Sequence, residues 1–254
     1  MTLNKLESFV ITIFNHELSE KSSEKCITTA RDIGGLEVKK WKAITKYESQ
    51  GLINDLGIKV LDELYGWCDR ESAFGCFLSH FFLWKYCVET QNRIMILEHD
   101  SVFTSKYHDE YFDGVMVIGD DLWSPDVEKD LSHYKKVNKN LFEWKCECDH
   151  YGMEEHNSDG KNMEICKLWG LKGTHGYVIT PNTAEKLIWK TLNRGISPLD
   201  LFMNRDNIKI SEIRPKVCYQ EQNYSLIQTD KNLFLKEKKG VEVGEHLWEN
   251  HYDT

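Results

Sequence analysis

Arg93 to Phe103 reads RIMILEHDSVF. An apolar run of strand length is followed at once by three ionisable residues, Glu98, His99 and Asp100, and then by a second apolar pair. A strand of period two sends Glu98 and Asp100 to one side and His99 to the other. Two carboxylates brought to one point repel unless a cation or a proton lies between them, so the stretch calls for a divalent metal or a shifted pKa. A strand running out into solvent would give the same letters in an isolated E-x-D tripeptide, so the surroundings have to decide.

Upstream, Ala73 to Glu89 carries Phe74, Phe77, Leu78, Phe81, Phe82, Trp84 and Val88 at three- and four-residue spacing, which predicts a buried helix leading into the strand. Downstream, Val115 to Ile118 is a second short apolar strand, ending in Gly119, Asp120 and Asp121. Further out, Ser8 to Phe14 reads as an opening strand, Leu18 to Ile33 as a helix, and Val38 to Trp41 with Ala43 and Ile44 as another short strand. GLKGTHGYVIT (Gly170 to Thr180) gives a Gly-rich turn and a strand, and Pro181 to Leu192 a helix with Pro in its first turn. Residues 126 to 167 are polar and weakly periodic and read as a loop excursion over the site. Strands alternating with helices, with acids at strand ends, predict an open α/β sheet with its site at the carboxyl edge.

The chain has 254 residues, enough for one large domain, and no Pro-rich linker or repeat divides it. A net charge of −9 speaks against salt-dependent adhesion to nucleic acid or anionic lipid, although one basic groove would be enough for a DNA acceptor. The N-terminal stretch lacks a signal-peptide pattern and no apolar window has transmembrane length, so a cytoplasmic protein is expected. Eight Cys in such a chain read as free thiols. Cys146, Cys148, His150, His156 and Cys166 offer zinc ligands, but C-x-C is tighter than the usual knuckle, and reduced thiols are the simpler reading.

The order of the pieces carries more information than any one of them. Gly75-Cys76-x-x-Ser79-His80, then I-L-E-H-D-S-V-F, then GTHGYVI, then SPLD, then RPKVCYQEQNYS together resemble glycosyltransferase family 25, the lipooligosaccharide and procollagen galactosyltransferases. That family's pattern runs E-x-G-C-x-x-S-H, L-E-D-D-x-x-F, T-x-G-Y-x-I, a late Asp, and a closing P-x-x-x-x-Q. The likeness covers roughly residues 8 to 228, with each motif short and the succession specific.

The resemblance implies a GT-A-like, Rossmann-type open sheet with helices on both faces, in a single domain spanning residues 1–254. It also implies a nucleotide-sugar donor, a UDP-sugar first among them, and inverting transfer to a hydroxyl of a glycan, a hydroxylated protein or a modified DNA base. Asp100 and Glu98 stand in the acidic motif as ligands of a divalent cation, Mn2+ or Mg2+, which prefers oxygen donors. Donor contacts are implied for Thr12, Ser79, His80, Gly173, Thr174, Gly176, Tyr177 and Gln220, with Gln222 beside the last. Asp200 matches the late Asp and is expected as the base that takes the acceptor proton, with Asp120 and Asp121 as alternatives. His175 is a conceivable third ligand, and His99, where the family has a carboxylate, reads as structural. Ala73 replaces the motif's Glu, and in the segment after the first strand, FNHELSEKSSEK (Phe14 to Lys25), only Lys21 and Lys25 are basic. These departures leave the donor sugar open, and they sustain a second reading, a nucleotide-sugar-binding protein without catalysis.

Overall fold

The computed structural model describes residues 6–61, 69–120, 134–144, 174–204 and 208–221. Strand β1 (Leu6–Thr12) is buried from Ser8 onward, as its β-branched and aromatic residues require. His16 caps the next helix, α1 (Glu17–Thr29), by accepting the Ser19 amide on Nδ1 at 3.3 Å. A single π-helical turn at Ala30–Gly34 widens its end, and Gly35, in the left-handed region at φ 72, stops it. Strand β2 (Val38–Lys42) follows, ending before Ala43 and Ile44. Thr45 and Glu48 then form a capping box that starts α2 (Lys46–Asp55).

Helix α3 (Arg70–Thr90) runs the full predicted length and buries Phe74, Phe77, Leu78, Phe81 and Trp84 completely or nearly so. Each such side chain contributes about 1.5–3 kcal/mol by leaving water. It turns at Gln91 into β3 (Arg93–Glu98) and then β4 (Ser101–Phe103). The remaining elements are β5 (Val115–Val117), β6 (Gly119–Asp120), β7 (Tyr134–Lys136), β8 (Leu141–Trp144), β9 (Gly176–Ile179), α4 (Pro181–Arg194), α5 (Leu199–Phe202), β10 (Ile210–Ile213) and β11 (Cys218–Gln220).

Eight of the described strands form one mixed sheet in the order β2-β1-β3-β9-β5-β10-β8-β7. β1 pairs parallel with both β2 and β3, and β10 parallel with β5, whereas β9 lies antiparallel between β3 and β5. A second small sheet, β4-β11-β6, stands over the carboxyl end of the first. Side chains alternate along the central strands into two cores. Ile94, Ile96, Val115, Val117, Tyr177 and Ile179 pack with α2, α3 and α4. Met95, Leu97, Met116 and Val178 pack with α1 and with Phe103, Tyr107 and Phe112. The sheet is therefore covered by helices on both faces, the α/β architecture expected from the alternation of elements.

One feature differs from the sequence reading. The described part of the 126–167 segment is a hairpin, β7 with β8, whose second strand pairs antiparallel with β10 and widens the main sheet. Edge strands can be polar, so composition alone reads them as loop. At the other margin, β2 presents three lysines, each matched to a carboxylate: Lys39 to Glu7 at 3.1 Å, Lys40 to Glu24 at 2.6 Å and Lys42 to Glu48 at 3.6 Å.

At the amino end of β3, Arg93 is 6% exposed and grips Asp109 with both terminal nitrogens, at 2.9 and 2.6 Å. Tyr107 donates to the same carboxylate at 3.0 Å. The grip fastens the connection after β4 to the start of the strand.

Candidate active site

The Gly75-Cys76-x-x-Ser79-His80 motif is a docking device followed by a functional face. A Cβ on Gly75 would lie 2.6 Å from the carbonyl oxygen of Ile44, so only glycine lets α3 come this close to the segment after β2. Ser79, one turn on, accepts the Ile44 amide at 2.8 Å and donates to the Gly75 carbonyl at 2.7 Å. With the helix held there, Cys76 and His80, four residues apart, share one face. His80 is fully buried. Its Nδ1 lies 2.8 Å from the Tyr177 hydroxyl, which also accepts from Trp84 Nε1 at 3.0 Å. The other ring nitrogen, Nε2, faces Glu98 Oε1 at 3.7 Å.

Glu98 ends β3, Asp100 occupies the turn into β4, and Asp200 lies in the short helix α5. Three elements thus deliver carboxylates to one end of the sheet. Thr174, in the turn leading into β9, ties two of them together, its hydroxyl standing 3.0 Å from both Glu98 Oε1 and Asp200 Oδ1. A hydroxyl has one proton to donate. It can satisfy one of these oxygens, and the other contact is filled only if that carboxylate carries a proton of its own.

The electrostatics agree. Burial and the charge of Glu98 push Asp200 up to about 7. The same two causes push Asp100 up to about 7. Burial also opposes ionisation of Glu98, but His80, His175 and the Thr174 hydroxyl outweigh it and hold this carboxyl down at about 2. Gln220 orients Asp100 by donating to Oδ2 at 2.9 Å, while Asp100 Oδ1 is buried with no hydrogen-bond partner among the described residues. A buried carboxylate oxygen without a partner, beside a second carboxylate, is what a divalent cation's oxygen-preferring shell fits.

Of the residues singled out from sequence, Glu98, Asp100, Thr174, Asp200, His80 and Gln220 converge. Others hold the scaffold. Thr12 is fully buried, its hydroxyl 3.2 Å from Val10 O and 2.8 Å from Ser23 Oγ, which docks α1 on β1. Tyr177 is a core residue of β9 that orients His80, and Ser79 fastens α3. At Gly176 a Cβ would meet Cys218 Sγ at 2.8 Å, so that glycine lets β9 pack closely on β11.

His99 lies in the turn after β3; the strand stops at Glu98, so simple alternation does not place it. Burial lowers its pKa against the pull of Glu98, and His16 lowers it further. His175 presents its backbone: its carbonyl accepts the Glu98 amide at 2.9 Å and the Ser101 hydroxyl, and its ring covers Gly119. Lys25 forms an ion pair with Glu221. Gly173, Gln222, Asp121 and the cluster of Cys146, Cys148, His150, His156 and Cys166 lie outside the described residues, as does the side chain of Asp120. Two members of the site had no role in the sequence reading. Cys76 and Trp84 flank His80 at four-residue spacing on α3, and that spacing was the available signal.

The family model for glycosyltransferase family 25 (LPS biosynthesis protein) matches residues 70–203, from the first turn of α3 to just past α5. The chain belongs to glycosyltransferase family 25 and is a glycosyltransferase, an enzyme with a sugar donor and an acceptor. The matched stretch contains His80, Glu98, Asp100, Thr174 and Asp200. No curated protein matches the chain. Among solved structures, the inositol-1-phosphate CTP transferase from T. maritima is similar at 14% identity, over 93% of this chain and 97% of that one, with a TM-score of 0.31, too loose to inform function. No helix among the described residues is long and apolar enough to cross a membrane.

Proposed function

We propose that the protein is a metal-dependent inverting glycosyltransferase of GT-A type, comprising one catalytic domain, that moves a sugar from a nucleotide-sugar donor to an acceptor hydroxyl. The observation that carries this reading is the convergence of Glu98, Asp100 and Asp200 on one end of the sheet, two of them bridged by Thr174.

Asp100, with Gln220 fixing one of its oxygens, and Glu98 would hold the divalent cation. Mn2+ or Mg2+ held there would neutralise charge on the departing diphosphate. Lys25 is paired with Glu221, whose amide donates to the Asp100 carbonyl at 2.8 Å. Asp200 stands across from them on α5. As the acceptor oxygen bonds to the anomeric carbon and the bond from that carbon to the diphosphate oxygen breaks, Asp200 takes the acceptor's proton. A carboxylate with a pKa of about 7 is well matched to this work near neutral pH. Thr174 holds Asp200 at a fixed distance from Glu98, and so from the donor end of the site. The acceptor is a hydroxyl of a glycan, a hydroxylated protein or a modified DNA base, and the donor is a UDP-sugar or a related nucleotide sugar.

The test is nucleotide release from a panel of nucleotide sugars with Mn2+, with and without chelator, for the native chain and for Asp200→Asn. A base acts in the transition state, so the variant should lose roughly 10²-fold or more in turnover while keeping its donor affinity. Parallel loss of donor affinity would make Asp200 a donor or metal contact instead, and full activity in excess EDTA would overturn the metal requirement.

A further inference from the structure

Around Glu98 lies a second set of donor atoms, completed by Cys76 and His80, which the proposed transfer chemistry does not use. Cys76 Sγ, His80 Nε2 and a Glu98 carboxylate oxygen all lie within 4.8 Å of one another. We infer that Cys76, His80 and Glu98 form a binding site for a thiophilic divalent cation of the zinc class, adjoining the oxygen-ligated cation proposed at Asp100 and sharing Glu98 with it.

Three observations support the site. The first is spacing: Cys76 and His80 are four residues apart on α3, so both project from one face, and Glu98 enters from β3. A tetrahedral ion with bonds of about 2.0–2.3 Å separates its ligand atoms by roughly 3.3–3.8 Å. His80 Nε2 and Glu98 Oε1 stand at 3.7 Å, too long for a hydrogen bond and a few tenths of an ångström beyond the roughly 3.3–3.5 Å between nitrogen and oxygen ligands of one such ion, so a small side-chain adjustment brings both onto it.

The second is the state of His80. Its Nε2 is buried and has no hydrogen-bond partner among the described residues, although its Nδ1 is well bonded. Trp84 Nε1 can only donate, so the Tyr177 oxygen accepts from it and keeps a second lone pair for an Nδ1–H. In that tautomer Nε2 offers a lone pair toward Glu98, and a cation there would take the place of the His80 proton that lowers the Glu98 pKa in the metal-free protein. A metal-binding histidine is commonly held this way, by a bond from its other ring nitrogen.

The third is charge. A thiolate, a neutral imidazole and a carboxylate sum to minus two, which a divalent cation cancels in a buried setting. Binding releases the Cys76 thiol proton to solvent. Sulfur favours zinc or cobalt over manganese or magnesium, so the two cation classes sort themselves between this triad and the oxygen site at Asp100. Three protein ligands leave a fourth position open, as in zinc sites that bind water or substrate.

Cobalt alone is the probe, because cobalt bound to thiolate has a charge-transfer band that hard-ligand sites lack. Chelator-stripped protein is titrated with Co2+ and followed by that band and by melting temperature. The expected result is a band saturating at one equivalent, abolished in Cys76→Ser and weakened at least tenfold in affinity in His80→Asn. It should persist in the Cys146→Ser/Cys148→Ser double variant. Asp100→Asn should keep the band while losing Mn2+-supported transfer, which separates failure of this inference from failure of the proposed reaction. Absence of the band in the native chain overturns the inference. So does a band that survives Cys76→Ser, because the thiolate then comes from elsewhere. Should Cys76→Ser itself melt early without metal, the double variant and the melting shift produced by Co2+ in the native chain still decide the matter.

Discussion

The two ends of β3 treat charge in opposite ways. At the amino end, Arg93 is buried but gripped by Asp109 through two nitrogens, with Tyr107 on the same carboxylate. At the carboxyl end, Glu98 and Asp100 are crowded together with no cationic side chain shown between them, and Asp100 Oδ1 has no partner among the described residues. Six residues of one strand therefore separate a charge that has been neutralised for stability from charges kept for binding. A matched buried ion pair is a fastening, whereas Asp100, crowded by a Glu98 that His80 and His175 keep ionised, stores repulsion that a cation or a proton relieves.

The largest effect expected from this contrast is on turnover at the carboxyl end. Asp100→Asn should reduce metal-supported transfer about 10³-fold, since it removes the charge that holds the cation. The fold should survive and, in metal-free protein above neutral pH, melt at the same temperature or a few degrees higher, because a source of repulsion has gone. An early-melting variant would mean that Asp100 belongs to the scaffold, and the contrast between the two ends would collapse.

At the amino end the order of effects reverses. Asp109→Ala leaves Arg93 buried without its main partner and should cost about 3 kcal/mol in urea unfolding, at the lower end of what such a charge costs. Asp109 is itself about a third exposed, which is why the lower end applies. Donor affinity of the surviving folded fraction should change little. A variant as stable as the native chain would show that the Arg93 grip is incidental.

The smallest and most diagnostic effect is on pH dependence. In metal-free protein Asp100 and Asp200 hold their protons up to about 7, whereas the unfolded chain releases them near the ordinary value of 3.8. Between those points the folded state binds more protons, so stability should fall as pH rises from about 4 to about 7 and level off above. Glu98, held at about 2 against an ordinary 4.5, acts the other way, and its contribution is lost only as pH falls from about 4.5 toward 2. Urea midpoints measured from pH 5 to 8 should therefore decline, with the slope flattened in the Asp100→Asn/Asp200→Asn double variant. A midpoint that climbs across this range would contradict the crowding at the carboxyl end.

Much of this arrangement was legible in the letters. The α3 periodicity, the apolar run of β3 and the acids that close it gave the elements and most of the site, because long helices and buried strands write their period plainly. Helix α2 was overlooked although Thr45-x-x-Glu48 announced it; its weakly apolar sequence hid the capping box. The insertion of β9 between β3 and β5, antiparallel to both, leaves no mark in local periodicity, since strand order is set by long-range pairing. Tyr177 was implied as a donor contact by its match to the T-x-G-Y-x-I motif, and a motif does not say which way a side chain turns; β9 directs it into the core, where it meets His80. The Thr174 bridge was equally hidden, because Glu98 lies 76 residues before it and Asp200 26 after it in the chain.

The lysines of β2 bear on assembly. β2 is the outermost strand of the described sheet on its side, and an open strand margin is a template on which another extended chain can add. Here Lys39, Lys40 and Lys42 form a charged fringe along that margin, each tethered to a carboxylate of its own chain. A strand arriving from a second copy would have to strip water from these side chains or break their pairs before it could zip on. It would also approach against a net charge of −9 on each molecule. The fringe thus works as a solubility guard, letting the catalytic sheet end in an exposed strand without becoming a seed for fibres.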